Sequence, residues 1–292
     1  MPQLLIPPQG KTIMNDLTRV GLPDIPLLGM HNPRRAQAGL QMHVHPGRME
    51  ICYLVRGEQI YRVGGRDYPI KGNEIFWTHP DEKHGSGRNI HGKGLLYWMH
   101  VRLPRRPQPF LALQAREAWP LAQQLRALPQ RSFRGVKRLQ VLFEDAWRLY
   151  YQPEGPLARL QLAGRLTEWL LLVATLARKR SLSEQTDDIA VVRALVDEHP
   201  SEAFSVDQMA EHVHLSTSRF KAKFKEQVGM PPHEYLLRSK IRCAERMLKA
   251  GGRSITAVAY ELGFSSSQCF ATVFKRFTNL RPSDVVAHQA GK

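Results

Sequence analysis

Only three cysteines occur in 292 residues, at Cys52, Cys243 and Cys269, and none forms a Cys-x-x-Cys pair. That excludes a disulfide framework or a zinc knuckle as the basis of the fold and fits a reducing compartment. Long apolar runs are missing as well. The longest, Trp169 to Ala177, spans nine residues, short of the roughly 20 that a bilayer-spanning helix needs. Met1 to Gly10 has no basic flank leading into an apolar core, as a secretory leader would. No membrane partner is therefore expected, and the location predicted is cytoplasmic, associated with the nucleoid. Acidic residues are few: 26 Asp and Glu against 42 Lys and Arg leave a formal charge of +16, which draws the chain towards polyanions. The excess is spread along the chain, with 15 basic and 10 acidic residues in 189–292 against 27 and 16 in 1–188. A protein that coats nucleic acid by charge alone would carry a stronger basic excess than residues 189–292 do.

What is present reads as ordinary globular composition, 42% hydrophobic and 23% charged, at a length suited to two domains. Residues 40–101 hold short β-rich runs, among them Ile51 to Val55 and Glu74 to Trp77, parted by turns such as Val63-Gly64-Gly65. This spacing predicts a small barrel or sandwich. After Pro109 the apolar period becomes helical, at Val136, Leu139, Leu142, Phe143 and Ala146, then at Leu162, Leu166, Trp169, Val173 and Leu176. Arg178 to Asp188 is polar and aperiodic, as a linker would be. The expected class is α+β multidomain: 1–108 a barrel domain, 109–180 a helical segment suited to dimerisation, 181–188 a linker, 189–292 an all-α domain.

The C-terminal region repeats itself. Ser205-Val206-x-x-Met209-Ala210-x-x-Val213-x-Leu215-Ser216 matches Ser254-Ile255-x-x-Val258-Ala259-x-x-Leu262-x-Phe264-Ser265, and Phe220-x-x-x-Phe224-Lys225 matches Phe270-x-x-x-Phe274-Lys275 one residue later. Each copy reads as helix, tight turn, helix. Ser205 and Ser254 suit N-caps, Gly263 suits the second turn, and His214 stands in the corresponding place of the first. With Phe220, Phe224 and Val228, or Phe270, Phe274 and Phe277, turned inward, the outward residues are Thr217, Ser218, Lys221, Ala222 and Lys225 in one copy. In the other they are Ser267, Gln268, Ala271, Thr272 and Lys275. These short polar and basic side chains suit base edges and phosphates in a major groove of double-stranded DNA. A plain helical bundle with a solvated surface is the other reading of the same pattern. Pro231-Pro232 should open a helix from His233 to about Lys249, ended by Gly251-Gly252 and able to hold the copies at a fixed distance.

Phe204 to Pro231 followed by Ile255 to Pro282 resembles the AraC/XylS family of transcription activators. The most telling pieces are Ala259-Tyr260-Glu261-Leu262-Gly263-Phe264, the two Phe-x-x-x-Phe-Lys pairs and Arg281-Pro282-Ser283-Asp284. The resemblance implies that Ser218, Lys221 and Ala222 hold the base-contacting places in the first copy, and Ser267, Gln268 and Thr272 those in the second. It also implies contact with RNA polymerase.

A second constellation lies upstream. His43 and His45 share one face of an extended segment, Glu50 follows, and His84 comes after Gly72. Three imidazoles and a carboxylate are able to hold a divalent Zn, Mn, Fe, Ni or Co ion, or else to hydrogen-bond an organic ligand. Gly39 to Val101 resembles a cupin barrel, whose four metal-binding places fall here on His43, His45, Glu50 and His84. Trp77 and Trp98, on predicted strands with Tyr97, suit a small effector such as a sugar or an aromatic compound, or else ordinary core packing. Leu157 to Ala177 is apolar on more than one face, which predicts either a homodimer contact or additional core. The function expected is an effector-controlled transcription regulator, with activation the favoured outcome and no catalysis. The alternative is a metal-dependent cupin enzyme with a DNA-binding tail.

Overall fold

The computed structural model describes residues 12–33, 36–87, 89–153, 155–179, 188–202 and 204–290. The described residues form two bodies, one within 1–34 and 39–184, the other within 35–38 and 185–292. The sequence-predicted linker 181–188 lies outside the described residues, except for Asp188.

In the first body, β1 (Thr12–Asp16), β2 (Leu27–His31) and β3 (Met49–Arg56) are followed by β4 (Glu58–Val63), β5 (Arg66–Lys71) and β6 (Glu74–Thr78). Then come β7 (His84–Gly85), β8 (Leu95–Val101), α1 (Ala115–Arg126), β9 (Ser132–Arg134), α2 (Lys137–Tyr151) and α3 (Ala158–Lys179). A six-stranded antiparallel sheet in the order β1-β2-β8-β3-β6-β9 faces a three-stranded sheet in the order β5-β4-β7. The β4–β5 hairpin turns at Gly64 and Gly65, with φ of 55° and 80°, the pair of positive values that a tight two-residue hairpin requires. Strands thus begin well before residue 40, and β9 adds an edge from within the segment read as helical.

Strand alternation sorts the side chains of the large sheet. Met49, Ile51 and Tyr53 of β3 join Leu95, Tyr97 and Met99 of β8 in a core shared with α1, α2 and α3. Cys52 and Leu54 instead meet Leu96, Phe76, Tyr61, Val63 and Ile70 between the two sheets. The helices are therefore part of the sheet's own core: Tyr97 stacks on Phe143 of α2 at 4.3 Å and donates its hydroxyl to Glu144. By length and composition α3 could cross a membrane. Its Leu162, Leu166, Trp169, Leu170 and Val173 are buried in this core, which accounts for its apolar character.

The second body contains α4 (Asp188–Glu198), α5 (Val206–His212), α6 (Thr217–Val228), α7 (Pro232–Ala250), α8 (Ile255–Glu261), α9 (Ser267–Thr278) and α10 (Pro282–Ala290). Two cores exist here. One joins α4, α5 and α6 with Tyr235 of α7, the other joins α8, α9 and α10 with Ile241, Ala244 and Leu248 of α7. Between them α7 runs 19 residues, about 28 Å at 1.5 Å per residue. Asp197, at the end of α4, accepts hydrogen bonds from three α7 side chains, Tyr235 at 2.7 Å, Ser239 at 3.3 Å and Arg242 at 2.6 Å.

The repeat is structural as well as sequential. Ser205 and Ser254 cap α5 and α8, accepting from Gln208 N and Ala257 N, and Ser205 completes a capping box with Gln208. Ala210 O accepts from Leu215 N as Ala259 O does from Phe264 N. His214 is left-handed with φ 53°, in the place where Gly263 has φ 73°. From there Ser216 caps α6 at once, whereas Ser265 is an added residue before Ser266 caps α9. The one-residue shift in the sequence match is this longer second turn. The correspondence continues to Gly229 and Asn279, left-handed C-caps of α6 and α9, and to Pro232 and Pro282, which open α7 and α10.

Candidate DNA interface and barrel site

Capping aligns α6 with α9, so that Thr217 corresponds to Ser267, Ser218 to Gln268, Lys221 to Ala271, Ala222 to Thr272 and Lys225 to Lys275. Phe220, Phe224 and Val228 are buried beneath α6, as Phe270, Phe274 and Thr278 are beneath α9. The opposite faces carry the sequence-predicted residues. Ser218, Lys221, Ala222, Lys225, Gln268, Thr272 and Lys275 are exposed, while Thr217, Ser267 and Ala271 are half-buried. Thr217 gives its hydroxyl to Asp207 of α5 at 2.6 Å and so braces the two helices of its repeat. Arg219 is also exposed on α6. The repeat pattern did not point to it because its counterpart is Cys269.

The barrel site is assembled from four elements. Residues 40–43 run beside β7, with His43 and His84 exchanging backbone hydrogen bonds at 2.8 and 2.9 Å and Ser86 N donating to Leu40 O. This brings His43, His45 and His84 to one end of the barrel, where β3 supplies Glu50. His43 Nδ1–H donates to Gln41 O at 2.7 Å and His84 Nδ1–H to Glu82 O at 2.8 Å. Both rings therefore turn Nε2 inward, the arrangement in which carbonyl-anchored imidazoles present a lone pair to a cation. Nε2 of His43 lies 3.1 Å from Nε2 of His45, and Nε2 of His84 lies 3.0 Å from Glu50 Oε2.

The structure adds a fifth donor, His100. It is the cross-strand neighbour of Glu50 in the β3–β8 pair, its Nε2 lies 3.6 Å from Glu50 Oε1, and its ring centroid lies 3.9 Å from that of His45. Nothing in the spacing signalled it, since it depends on which strand lies beside β3. His43, His45 and His84 form one set able to share an ion, and His45, Glu50 and His100 a second. Burial alone would raise the Glu50 carboxyl, but hydrogen bonds from His100 and His84 outweigh it and hold Glu50 ionised well below the usual range. Burial, reinforced by His100, holds His45 down to about 4. For His84 burial acts in the same sense, but the Glu50 hydrogen bond and charge prevail and raise it.

Trp98 also lies on the inward face of the large sheet, beside the small core between the sheets. Trp77 does not. The alternation of β6 turns Phe76 and Thr78 inward and Trp77 towards the helices, where its indole N–H donates to Gln130 O at 2.7 Å and Arg131 stacks on the ring at 4.9 Å. The reading of Trp77 as ligand-binding is corrected accordingly: the run Glu74 to Trp77 is a strand, but its inward parity is the other one.

The sequence of residues 209–288 matches the family described as helix-turn-helix domain, and residues 32–170 match the AraC-like ligand binding domain. Over 273 residues, 87% of this chain and 90% of the relative, the chain is 28% identical to the HTH-type transcriptional activator RhaS of Escherichia coli strain SE11. Among solved structures it is similar to the DNA-binding domain of AdpA, described as the global transcriptional factor, in complex with a target DNA. That match is 28% identical, covers 37% of this chain and 97% of that one, and has a TM-score of 0.35. ToxT from Vibrio cholerae O395 matches over 96% of this chain and 99% of its own, at 13% identity and a TM-score of 0.35.

Proposed function

The chain belongs to the AraC family of transcription regulators, and from that premise we propose how its two bodies divide the work. The C-terminal body grips double-stranded DNA with α6 and α9 in successive major grooves, about 34 Å apart, and the barrel takes up a small effector that alters that grip. The observation that carries this reading is the doubled helix-turn-helix with its two equivalent exposed faces. Base and phosphate contacts fall to Ser218, Lys221, Ala222, Lys225, Gln268, Thr272 and Lys275, with Thr217, Ser267 and Ala271 at the margin.

The effector proposed is a small polar molecule, a sugar or a hydroxylated aromatic compound. Trp98 offers it a ring face, and Gln59 Oε1, His31 Nε2 and His100 Nδ1 are buried without a hydrogen-bond partner among the described residues, atoms that a ligand would satisfy. His43, His45, Glu50 and His84 fit a divalent transition metal, because anchored imidazoles and one carboxylate are the donor set such ions prefer. When bound, the ion would supply a Lewis-acidic anchor for an oxygen of the effector. We assign no catalysis to the barrel; the kinship with an activator supports regulation. Homodimerisation through α3 is supported by Leu160 and Leu171, 56% and 46% exposed on that helix. Contact with RNA polymerase, activation as the outcome, and a cytoplasmic place of work complete the reading.

The test is selection of duplexes from a random pool by the full-length chain at fixed salt, repeated with sugars and aromatic compounds present. A motif of two boxes one helical turn apart, bound more or less tightly when one compound is added, is the expected result. Binding with no sequence preference at any salt would overturn the proposal.

A further inference from the structure

Although α6 and α9 are structurally equivalent, their exposed faces differ in chemistry. On α6 the exposed cations are Arg219, Lys221 and Lys225, while Lys223 is held by Asp188 at 2.7 Å. On α9 the places of Arg219 and Lys221 are taken by Cys269 and Ala271, Lys275 remains, and the guanidinium of Arg276 stacks over Phe277 at 4.8 Å. At the places of residues 219 and 221, α6 is cationic and α9 neutral, whereas further along the exposed Glu226 of α6 faces out where α9 has the exposed Arg276.

The neutral face has its own pattern. Gln268 offers an amide donor and acceptor on one side chain, whose Oε1 lies 3.5 Å from the Ser267 hydroxyl. Thr272, one turn on, spends its hydroxyl proton on Gln268 O at 3.0 Å, which leaves its methyl as the group free to meet another surface. A carboxamide pairs with adenine N6 and N7, and a methyl group packs on the thymine methyl. On α6, Lys221 has donors only, which suit guanine O6 and N7, and Ala222 places a methyl where Thr272 does.

Resting on the DNA-binding reading above, we infer that the chain reads two unlike boxes. The box under α9 is specified as A·T-rich by Gln268, Ala271 and Thr272, and the box under α6 contains a guanine specified by Lys221.

The experiment selects duplexes with the full-length chain and with Gln268→Ala, Lys221→Ala and Ala271→Lys, all at one salt concentration, after thermal melting has shown each variant folded. Expected are two unlike boxes, with Gln268→Ala relaxing adenine preference in one box by about tenfold and Lys221→Ala relaxing guanine preference in the other by a similar factor. Ala271→Lys, which gives α9 the cation α6 has at that place, should draw guanine into the A·T-rich box. If the variants weaken all duplexes alike and leave the motif unchanged, Gln268 and Lys221 touch phosphates, and the inference falls while the regulator reading stands. Two boxes of the same composition would also overturn it. If no motif emerges even for the parent chain, both readings fall together.

Discussion

The Trp98 indole fills the space that a side chain on Gly29 would need: a Cβ there would stand 2.2 Å from Cε2 of the ring. They are cross-strand partners in the β2–β8 pair, so the absent side chain on one strand is what lets the ring on the next lie across it.

Gly29→Ala must displace that ring, and a loss of about 1–3 kcal/mol in stability is expected. Trp98→Val in the same chain should relieve much of the clash. Urea unfolding of the two single variants and the double variant measures the coupling; simple additivity would show that the ring moves aside at no cost.

At His214 the first turn uses a left-handed residue with a side chain. Replacing it by glycine, as Gly263 stands in the second turn, removes that strain at a smaller entropic cost, so His214→Gly should gain about 0.5–1 kcal/mol. Gly263→Ala should lose stability. Melting temperatures of both variants decide the matter, and a fall on His214→Gly would mean that the imidazole makes a compensating contact.

Asp197 gathers Tyr235, Ser239 and Arg242 from one face of α7. Asp197→Ala is expected to cost about 2–3 kcal/mol, since Tyr235 and Arg242 lose an ionised acceptor at once while Ser239 keeps the Val196 carbonyl at 3.2 Å, and Tyr235→Phe about 1 kcal/mol. Equal losses in the two variants, read from denaturant midpoints, would contradict the idea of a shared acceptor.

Burial, with His31 adding repulsion, holds His91 down to about 4, against about 6.5 in an unfolded chain. Between those values the unfolded chain binds a proton that the folded chain refuses, so stability is full above about pH 6.5 and declines as pH falls towards 4. The expected loss from pH 7 to 5 is roughly 2 kcal/mol. His91→Gln should show a shallower decline in urea midpoints over that range. Parallel profiles would place the acid sensitivity elsewhere.

For the barrel, divalent metal retained after dialysis should approach one equivalent and drop with His84→Gln. His100→Gln should weaken binding by about 10–100-fold if that imidazole supports or joins the donor set. Less than about a tenth of an equivalent in the parent chain, measured by elemental analysis, would sink the metal reading and leave an organic effector as the occupant.

The sequence disclosed the C-terminal body well because its signals are local. Within each copy the serine caps, the turn position and the inward phenylalanines fall in one short stretch, 20 residues from Ser205 to Phe224 and 21 from Ser254 to Phe274, and each copy checks the other. The barrel was less legible because its faces are settled by pairing at long range. His43, His45, Glu50 and His84 could be grouped from their spacing. His100 joins them only because β8 lies beside β3 in one register, and Trp77 left the group because β6 presents Phe76 instead. Strands β1 and β2, outside the β-rich stretch, take their places by long-range pairing, β2 with β8 and β1 with β2.

Because α7 belongs to both cores without a break, the offset between α6 and α9, the two reading heads of the proposed function, is set by a helical screw. One residue added to its middle would advance the second head by 1.5 Å and swing it through about 100°, off the face of the duplex that the first one reads. Small adjustments are thereby forbidden: an operator whose boxes drift apart by a base pair cannot be followed by lengthening α7 residue by residue. On the proposed reading, the spacing between the boxes is locked, and base identity under α6 and α9 is the variable that can change one substitution at a time.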